Sequence, residues 1–346
     1  MVGVKVPGVR VPGVTGSGLK VLVTGAHGFI GSHLVEKLIA EGASVRALVS
    51  PWGNLQNLAG VQDQIEVVRA DVSAPESLKG VCDGIDLIYH AAARVADYGP
   101  AAAFWRVNVE GTKGLLLEAE RAAVKRFVLV SSVAVHRYTG FQDADPRTLP
   151  LDGSLNAYAR SKVAAENVLS ASQVRAAQLE TVIVRPGLWP FGPRDPNFRR
   201  LAAALRKGRL PLVDGGRAVI NTAYSENLMD GLWLAGTVPQ AAGNTYVIAD
   251  AGAPSWKDVF TELARILDAP APRLSLPGWV AEPLGGAVER VYALAMLKAE
   301  PPLTRYRGAL MRRDVHFSPA HDLGYTPAIS WQEGLAQTAA SLGAGV

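Results

Sequence analysis

Residues 19–34, Leu-Lys-Val-Leu-Val-Thr-Gly-Ala-His-Gly-Phe-Ile-Gly-Ser-His-Leu, constrain this chain more than any other stretch. The apolar run Val21 to Val23 reads as a buried strand, and three glycines, Gly25, Gly28 and Gly31, follow at once. The apolar-periodic segment Leu34 to Ile39 then reads as a helix. Glycine permits a tight turn and lets the backbone approach a pyrophosphate. The new helix offers unpaired N–H groups and the positive end of its dipole. Strand, turn and helix in this order make a dinucleotide-phosphate site. The spacing is Gly-x-x-Gly-x-x-Gly, not the Gly-x-Gly-x-x-Gly of the commoner fingerprint.

The rest of the first half keeps the same rhythm. Strands are expected at Ser44–Val49, Ile65–Arg69, Leu87–His90, Phe127–Val130 and Thr181–Val184, and helices at 76–82, 110–123 and 157–171. Alternating strands and helices imply α/β architecture, a Rossmann-type doubly wound parallel sheet with helices on both faces. Ligands of such sheets bind beyond the carboxyl ends of the strands. Past Arg185 prolines and glycines crowd residues 186–196, and helices near 197–207, 225–236, 255–267 and 283–297 alternate with short extended runs. This places a dinucleotide-binding domain at 19–185 and a smaller, mostly helical substrate domain mainly at 186–346. A segment near 224–249 is free to return to the sheet. Residues 1–18, with a repeated Val-Pro-Gly-Val, read as an extended or disordered leader.

A chain of 346 residues with 49% hydrophobic and 19% charged residues suits a well-buried globular enzyme. Its formal charge of +4, without a basic run interleaved with aromatics, gives no support to nucleic-acid binding. The single cysteine, Cys82, excludes an internal disulfide framework, and no His/Cys/carboxylate cluster has metal-ligand spacing. The apolar segment Pro283 to Leu297 is too short to span a bilayer and carries Glu289 and Arg290. The expected location is cytoplasmic, with no membrane span.

The strongest chemical constellation is Tyr158-Ala-Arg-Ser-Lys162 on an expected helix, where a spacing of four puts phenol and ammonium on one face. A phenol titrates near pH 10 in isolation, about three units above neutrality, and a fixed positive charge nearby stabilises the phenolate. Isolated Tyr-x-x-x-Lys pairs are common on helices. Here the pair follows a glycine-rich nucleotide turn and an apolar strand ending in Ser131-Ser132, and that context favours catalysis.

With these pieces in place the sequence resembles an extended short-chain dehydrogenase/reductase of the NAD-dependent epimerase/dehydratase superfamily. The matching motifs are Thr24-Gly-Ala-His-Gly-Phe-Ile-Gly31, Asp71-Val72, His90-Ala-Ala-Ala93, Asn108-Val-Glu-Gly-Thr112, Val130-Ser-Ser-Val-Ala-Val135, Tyr158-x-x-x-Lys162 and Arg185-Pro-Gly187. Leu323-Gly-Tyr-Thr-Pro327 with Glu333-Gly-Leu335 is similar to the family's closing motif. The resemblance implies that Tyr158 is the general acid–base, tuned by Lys162, which also bonds the nicotinamide ribose. Ser132 polarises the substrate oxygen. Ser131 is left to a strand-end hydrogen bond or a cofactor contact. Gly25, Gly28, Phe29, Ile30 and Gly31 face the pyrophosphate, Asp71 and Val72 flank the adenine, and Ala91, Ala92 and Ala93 line the dinucleotide. Asn108 stands behind the site, and Pro186, Gly187 and Leu188 pass beside the nicotinamide. His27 and His90 are assigned to packing.

Cofactor choice turns on the second strand. NAD-preferring relatives end it with an aspartate that bonds the ribose 2′-hydroxyl. Val49 stands there, and Ser50 stands where many relatives carry arginine. The lean is toward NADP over NAD. The stretch Arg94-Val-Ala-Asp-Tyr-Gly-Pro-Ala-Ala-Ala-Phe-Trp105 resembles the 3β-hydroxysteroid dehydrogenase-like branch. Trp189, Phe191, Phe198, Leu201, Leu205 and the run Trp279 to Leu297 supply material for a lipophilic pocket, or for the core of the small domain. The expected reaction interconverts a secondary alcohol and a ketone on a small hydrophobic, steroid-like or lipid-like substrate. A nucleotide-sugar epimerase/dehydratase, which Arg194, Arg199, Arg200 and Arg206 keep open, a flavanone- or aldehyde-type ketone reductase, and a non-catalytic cofactor-binding regulator are the alternatives. A homodimer is compatible with the family.

Overall fold

The computed structural model describes residues 16–175, 178–297, 301 and 303–343, so residues 1–15 of the expected leader lie outside it. Seven strands make one parallel sheet: β1 (Lys20–Thr24), β2 (Ser44–Val49), β3 (Ile65–Arg69), β4 (Leu87–His90), β5 (Arg126–Val130), β7 (Glu180–Pro186) and β11 (Thr245–Ile248). Their order is β11-β7-β5-β4-β1-β2-β3. β1, β4 and β5 are almost wholly apolar and buried on both faces, as strands of a doubly covered parallel sheet must be. The chain runs outward from β1 through β2 and β3, then crosses back to place β4 on the other side of β1. That reversal opens a crevice at the carboxyl ends of β1 and β4.

Helices α1 (Phe29–Ala40) and α6 (Ser225–Thr237) cover one face, where Leu34, Val35 and Leu38 pack with Leu228, Leu232 and Trp233. On the other face lie α3 (Gly111–Arg121) and α4 (Ala157–Arg175), whose Leu115, Leu116, Ala119, Ala165 and Leu169 share a second core. The helix expected at 110–123 starts sooner than its apolar spacing suggests. A four-residue α2 (Ala101–Phe104) leads into a π-helical turn, Trp105–Glu110, that runs straight into α3. The extra residue per turn is what disturbs the expected 3.6-residue period. The segment expected to be helical at 76–82 is only a 3₁₀ turn, Pro75–Leu78.

The remaining elements gather over the carboxyl edge. Three two-stranded parallel pairs form: β6 (Phe141–Ala144) with β13 (Val315–Phe317), β8 (Trp189–Phe191) with β10 (Thr222–Tyr224), and β9 (Leu212–Val213) with β12 (Ser275–Leu276). Around them lie α5 (Pro196–Arg206), α7 (Trp256–Ile266), α8 (Gly278–Leu294), α9 (Arg305–Leu310) and α10 (Trp331–Ser341). Helix α8 begins five residues before the expected 283–297, and Pro283 sits inside it. Among the described residues no helix is long and apolar enough to cross a membrane. Asp195 caps α5 with both carboxylate oxygens, accepting the N–H groups of Asn197 and Phe198. Trp189, Phe191 and Phe198 stack on one another, and Trp256 meets Trp189 and Phe260 at a tilt, as the core of this region. The core reading of Trp189, Phe191, Phe198 and Leu205 is therefore the one the packing supports. Trp279, Val291 and Leu294 face outward instead.

Candidate active site

The glycine turn sits at the crevice for steric reasons. Gly25 has φ +68°, a left-handed conformation, and a Cβ there would lie 2.8 Å from the Ala92 backbone. A Cβ on Gly31 would collide with the Gly25 carbonyl. Gly28 is the N-cap of α1 and bonds Gly25 O through its N–H at 2.9 Å. No side chain caps this helix and its first turn carries no acidic residue. The N–H groups from Phe29 onward thus meet an anion without competition, and the cradle suits a dinucleotide pyrophosphate.

One chain of hydrogen bonds ties the turn to the opposite wall. Thr24 Oγ1 is 2.7 Å from His90 Nδ1, and His90 Nε2 is 3.0 Å from Thr112 Oγ1. Thr112 donates to Asn108 O at 2.7 Å, so its oxygen must accept from His90 Nε2–H, and Nδ1 accepts from Thr24. Thr24 Oγ1 in turn accepts the Ala92 N–H at 3.1 Å. Burial pushes the His90 pKa down to about 3, which leaves the ring neutral and structural. Asn108, aimed by the π-helical turn, accepts the Arg94 N–H at 2.7 Å and donates to Arg94 O and Ser161 Oγ. Ser161 bonds Tyr158 O, so Asn108 pins the loop after β4 to the start of α4.

Tyr158 and Lys162 share the inner face of α4. Lys162 Nζ donates to Val130 O at 2.8 Å, and burial lowers its pKa to about 8 against an opposing pull from Glu166. Tyr158 is 9% exposed, and burial raises its pKa to about 12, opposed by a hydrogen bond with Ser132. The expected lowering of the phenol by the ammonium does not emerge: desolvation dominates, the Asp97 charge adds to it, and only Ser132 opposes them. Ser132 also caps a short turn through Ala134 N–H. Its neighbour Ser131 points the other way and donates to Glu166, as alternation at a strand end requires. The Phe104 ring centroid lies 6.4 Å from that of Tyr158, with the Arg94 guanidinium over the Phe104 ring at 5.2 Å. Ala96, Leu155 and Ala157 pack against the same cluster.

The other expected residues lie around this centre. Asp71 uses its carboxylate on Ser73, and Val72 packs beside Gly111. Gly187 bonds Ile248 O and is pressed against the carbonyls of Asn221 and Thr222, while Leu188 is buried just after Pro186 ends β7. Ser50 follows β2, in a turn whose carbonyls at Ser50, Pro51 and Gly53 all accept from Arg69 Nη1. Sequence reasoning passed over Arg69, together with Glu166, Tyr138 and Tyr306. Glu166 carried one signal, its spacing of four from Lys162 on the face of Tyr158. Arg194 bonds Glu36 and His33 on α1, so its charge serves the contact between α1 and the loop before α5.

Comparison with known proteins identifies the family. Residues 21–249 match the model of the NAD dependent epimerase/dehydratase family, the span from β1 to just past β11. The chain belongs to that family. It is 32% identical to a 2-alkyl-3-oxoalkanoate reductase of Stenotrophomonas maltophilia, over 93% of this chain and 99% of the other. Identity is 31% with a 3 beta-hydroxysteroid dehydrogenase/Delta 5→4-isomerase of Mycobacterium tuberculosis, over 92% and 89%. Among solved structures it resembles a dTDP-glucose 4,6-dehydratase of Streptomyces venezuelae, with a TM-score of 0.74, 26% identity and coverage of 94% and 98%. These relatives are extended short-chain dehydrogenases/reductases, and the chain is an NAD(P)-dependent oxidoreductase of that group.

Proposed function

We propose that the chain reduces the ketone of a hydrophobic, lipid-like substrate to a secondary alcohol, and runs the reverse oxidation at high alcohol. The observation that carries this reading is the placement of Ser132 beside the Tyr158 phenol, with Lys162 one turn along the same helix and Phe104, Ala96, Ala134 and Leu155 packed around them. When bound, the reduced nicotinamide supplies a hydride to the carbonyl carbon. Ser132 holds the carbonyl oxygen, and Tyr158, a phenol that keeps its proton at neutral pH, donates it to that oxygen. Lys162, fixed by the Val130 carbonyl, presents its positive charge to the phenolate left behind and relays a replacement proton. The 3-oxoalkanoate activity in the name of a relative with nearly full coverage supports a lipid-like ketone over a sterol.

NADP(H) is the preferred cofactor in this reading. Val49 at the end of β2 is buried and carries no charge to repel a 2′-phosphate, and Arg69 lies across the turn that follows. A screen of aliphatic 3-oxoesters, steroid ketones and sugar nucleotides, with NADPH and NADH in parallel, tests both statements. Oxidation of NADPH by the 3-oxoesters is the expected result. Conversion of a sugar nucleotide without net cofactor turnover would establish the epimerase alternative instead.

A further inference from the structure

Helix α9 packs against the Tyr158 cluster and the loop after β4. Arg307 Nε donates to Asp97 Oδ2 at 2.6 Å, on the loop after β4, and Asn156 Nδ2 donates to Asp97 O at 3.2 Å just before α4. The residue beside this anchor is Tyr306. Its side chain packs against the cluster of Phe104, Ala134, Tyr158 and Ala159. Its ring centroid lies 6.3 Å from that of Tyr138, and the two phenol oxygens are 3.5 Å apart. Tyr138 is itself only 4% exposed.

The hydrogen-bond count leaves a surplus. Two phenols carry two O–H donors, and their mutual contact uses one at most. Among the described residues no acceptor is recorded for the other, although a buried tyrosine normally finds one. Burial raises the pKa of both phenols, so both remain donors throughout the working range. The surplus proton lies beside Tyr158, in a cluster whose other members, Phe104, Ala134 and Ala159, are apolar.

We propose that Tyr306 and Tyr138 form a substrate-positioning pair that donates a hydrogen bond to a second oxygen of the substrate, a carbonyl or carboxyl group close to the reacting ketone, as in 3-oxoesters and 3-oxoacids. The proposal rests on the ketone-reductase reading and adds the requirement for a second acceptor oxygen. Held at two points, such a ketone presents one face and one carbon to the hydride. A plain ketone of the same length has one point of attachment and is free to slide along the apolar wall.

The test compares ethyl 3-oxooctanoate with 6-undecanone, its chain-length match without the ester oxygens, in the full-length protein and in Tyr306→Phe and Tyr138→Phe. Free 3-oxooctanoate, run in parallel, separates a neutral from a charged second group. Phenylalanine keeps the ring contact and deletes only the hydroxyl, and a melting curve for each variant reports on folding. The expected result is a preference of the wild type for one of the 3-oxo compounds, and a loss of about tenfold in kcat/KM for it in Tyr306→Phe, chiefly through KM. Turnover of 6-undecanone should stay within twofold. Equal losses on both ketones in either variant, or no loss on the 3-oxo compounds in both, would overturn the pair's role while leaving the reductase reading in place. If the wild type reduces none of these ketones with either cofactor, the reductase reading falls and the proposal falls with it.

Discussion

Glu166 and Arg185 form a buried ion pair one helical turn beyond Lys162, with Arg185 Nη2 donating to Glu166 Oε2 at 2.7 Å. Both side chains are under 5% exposed. The pair is extended on each side. Ser131 donates to Glu166, while Arg185 Nη1 reaches His136 Nε2 and Pro146 O. The end of β5, the end of β7 and the middle of α4 are thereby locked together beneath the Ser132–Tyr158–Lys162 site.

Removing one member of such a pair leaves a buried charge without its partner, which typically costs about 3–5 kcal/mol. Arg185→Leu should lose stability on that scale in urea unfolding. Glu166→Gln should do more than destabilise. Its negative charge supports the Lys162 ammonium, so the Lys162 pKa should fall below its present value of about 8. The basic limb of the kcat profile should move to lower pH in Glu166→Gln. An unmoved limb would detach Glu166 from the chemistry and leave it a purely structural role.

The glycine turn gives a second, steric prediction. Gly31→Ala places a methyl group against the Gly25 carbonyl and the Ala26 backbone, neither of which can rotate away. Overpacking against backbone costs about 1–3 kcal/mol, and the cradle must open to relieve it. Reduced-cofactor fluorescence should show binding weakened at least tenfold, with a modest fall in melting temperature. Gly28→Ala, where the nearest protein atom is Gly25 O at 3.2 Å, should lower the melting temperature less.

Acid sensitivity follows from the neutral histidines. Burial lowers the pKa of His90 to about 3, and the pKa values of His33 and His136 are lowered to about 4, all from an unfolded value of 6.5. Their depressed values mean that the unfolded chain binds more protons below pH 6.5. Each ring therefore costs stability as pH falls from about 6.5 toward its folded value, at about 1.4 kcal/mol per pH unit. Asp195 acts oppositely below its raised pKa of about 6, since its folded state holds the proton more tightly. Comparing slopes rather than absolute stabilities cancels that contribution. His90→Asn should unfold more easily at pH 7 yet show a shallower loss between pH 6 and pH 5, by about one proton. An unchanged slope would mean that His90 is charged in the folded protein.

Much of the sheet and of the candidate site was legible because both depend on local pattern. Val21 to Val23 and Phe127 to Val130 are apolar runs with no competing reading, and the glycine spacing marks the turn between β1 and α1. Tyr158 and Lys162 declare themselves by a spacing of four on one helix. What stayed hidden depends on distant parts of the chain or on broken periodicity. The π-helical turn at Trp105–Glu110 has no 3.6-residue signature, so Asn108 could be matched to a motif but not aimed. Tyr138 and Tyr306 are 168 residues apart, and nothing local announces their contact. The raised phenol of Tyr158 was missed for a related reason. Spacing reveals the nearby charge but not how completely the surrounding residues exclude water.

The central claim is that Tyr158 transfers the proton while the glycine cradle binds the cofactor independently. Stopped-flow reduction of ethyl 3-oxooctanoate by Tyr158→Phe, with NADPH affinity measured on the same preparation, tests it most directly. The account predicts a fall in kcat of at least about a thousandfold, at the upper part of the range for general acid catalysis, with cofactor affinity unchanged within twofold. Retention of a tenth or more of wild-type turnover would contradict it.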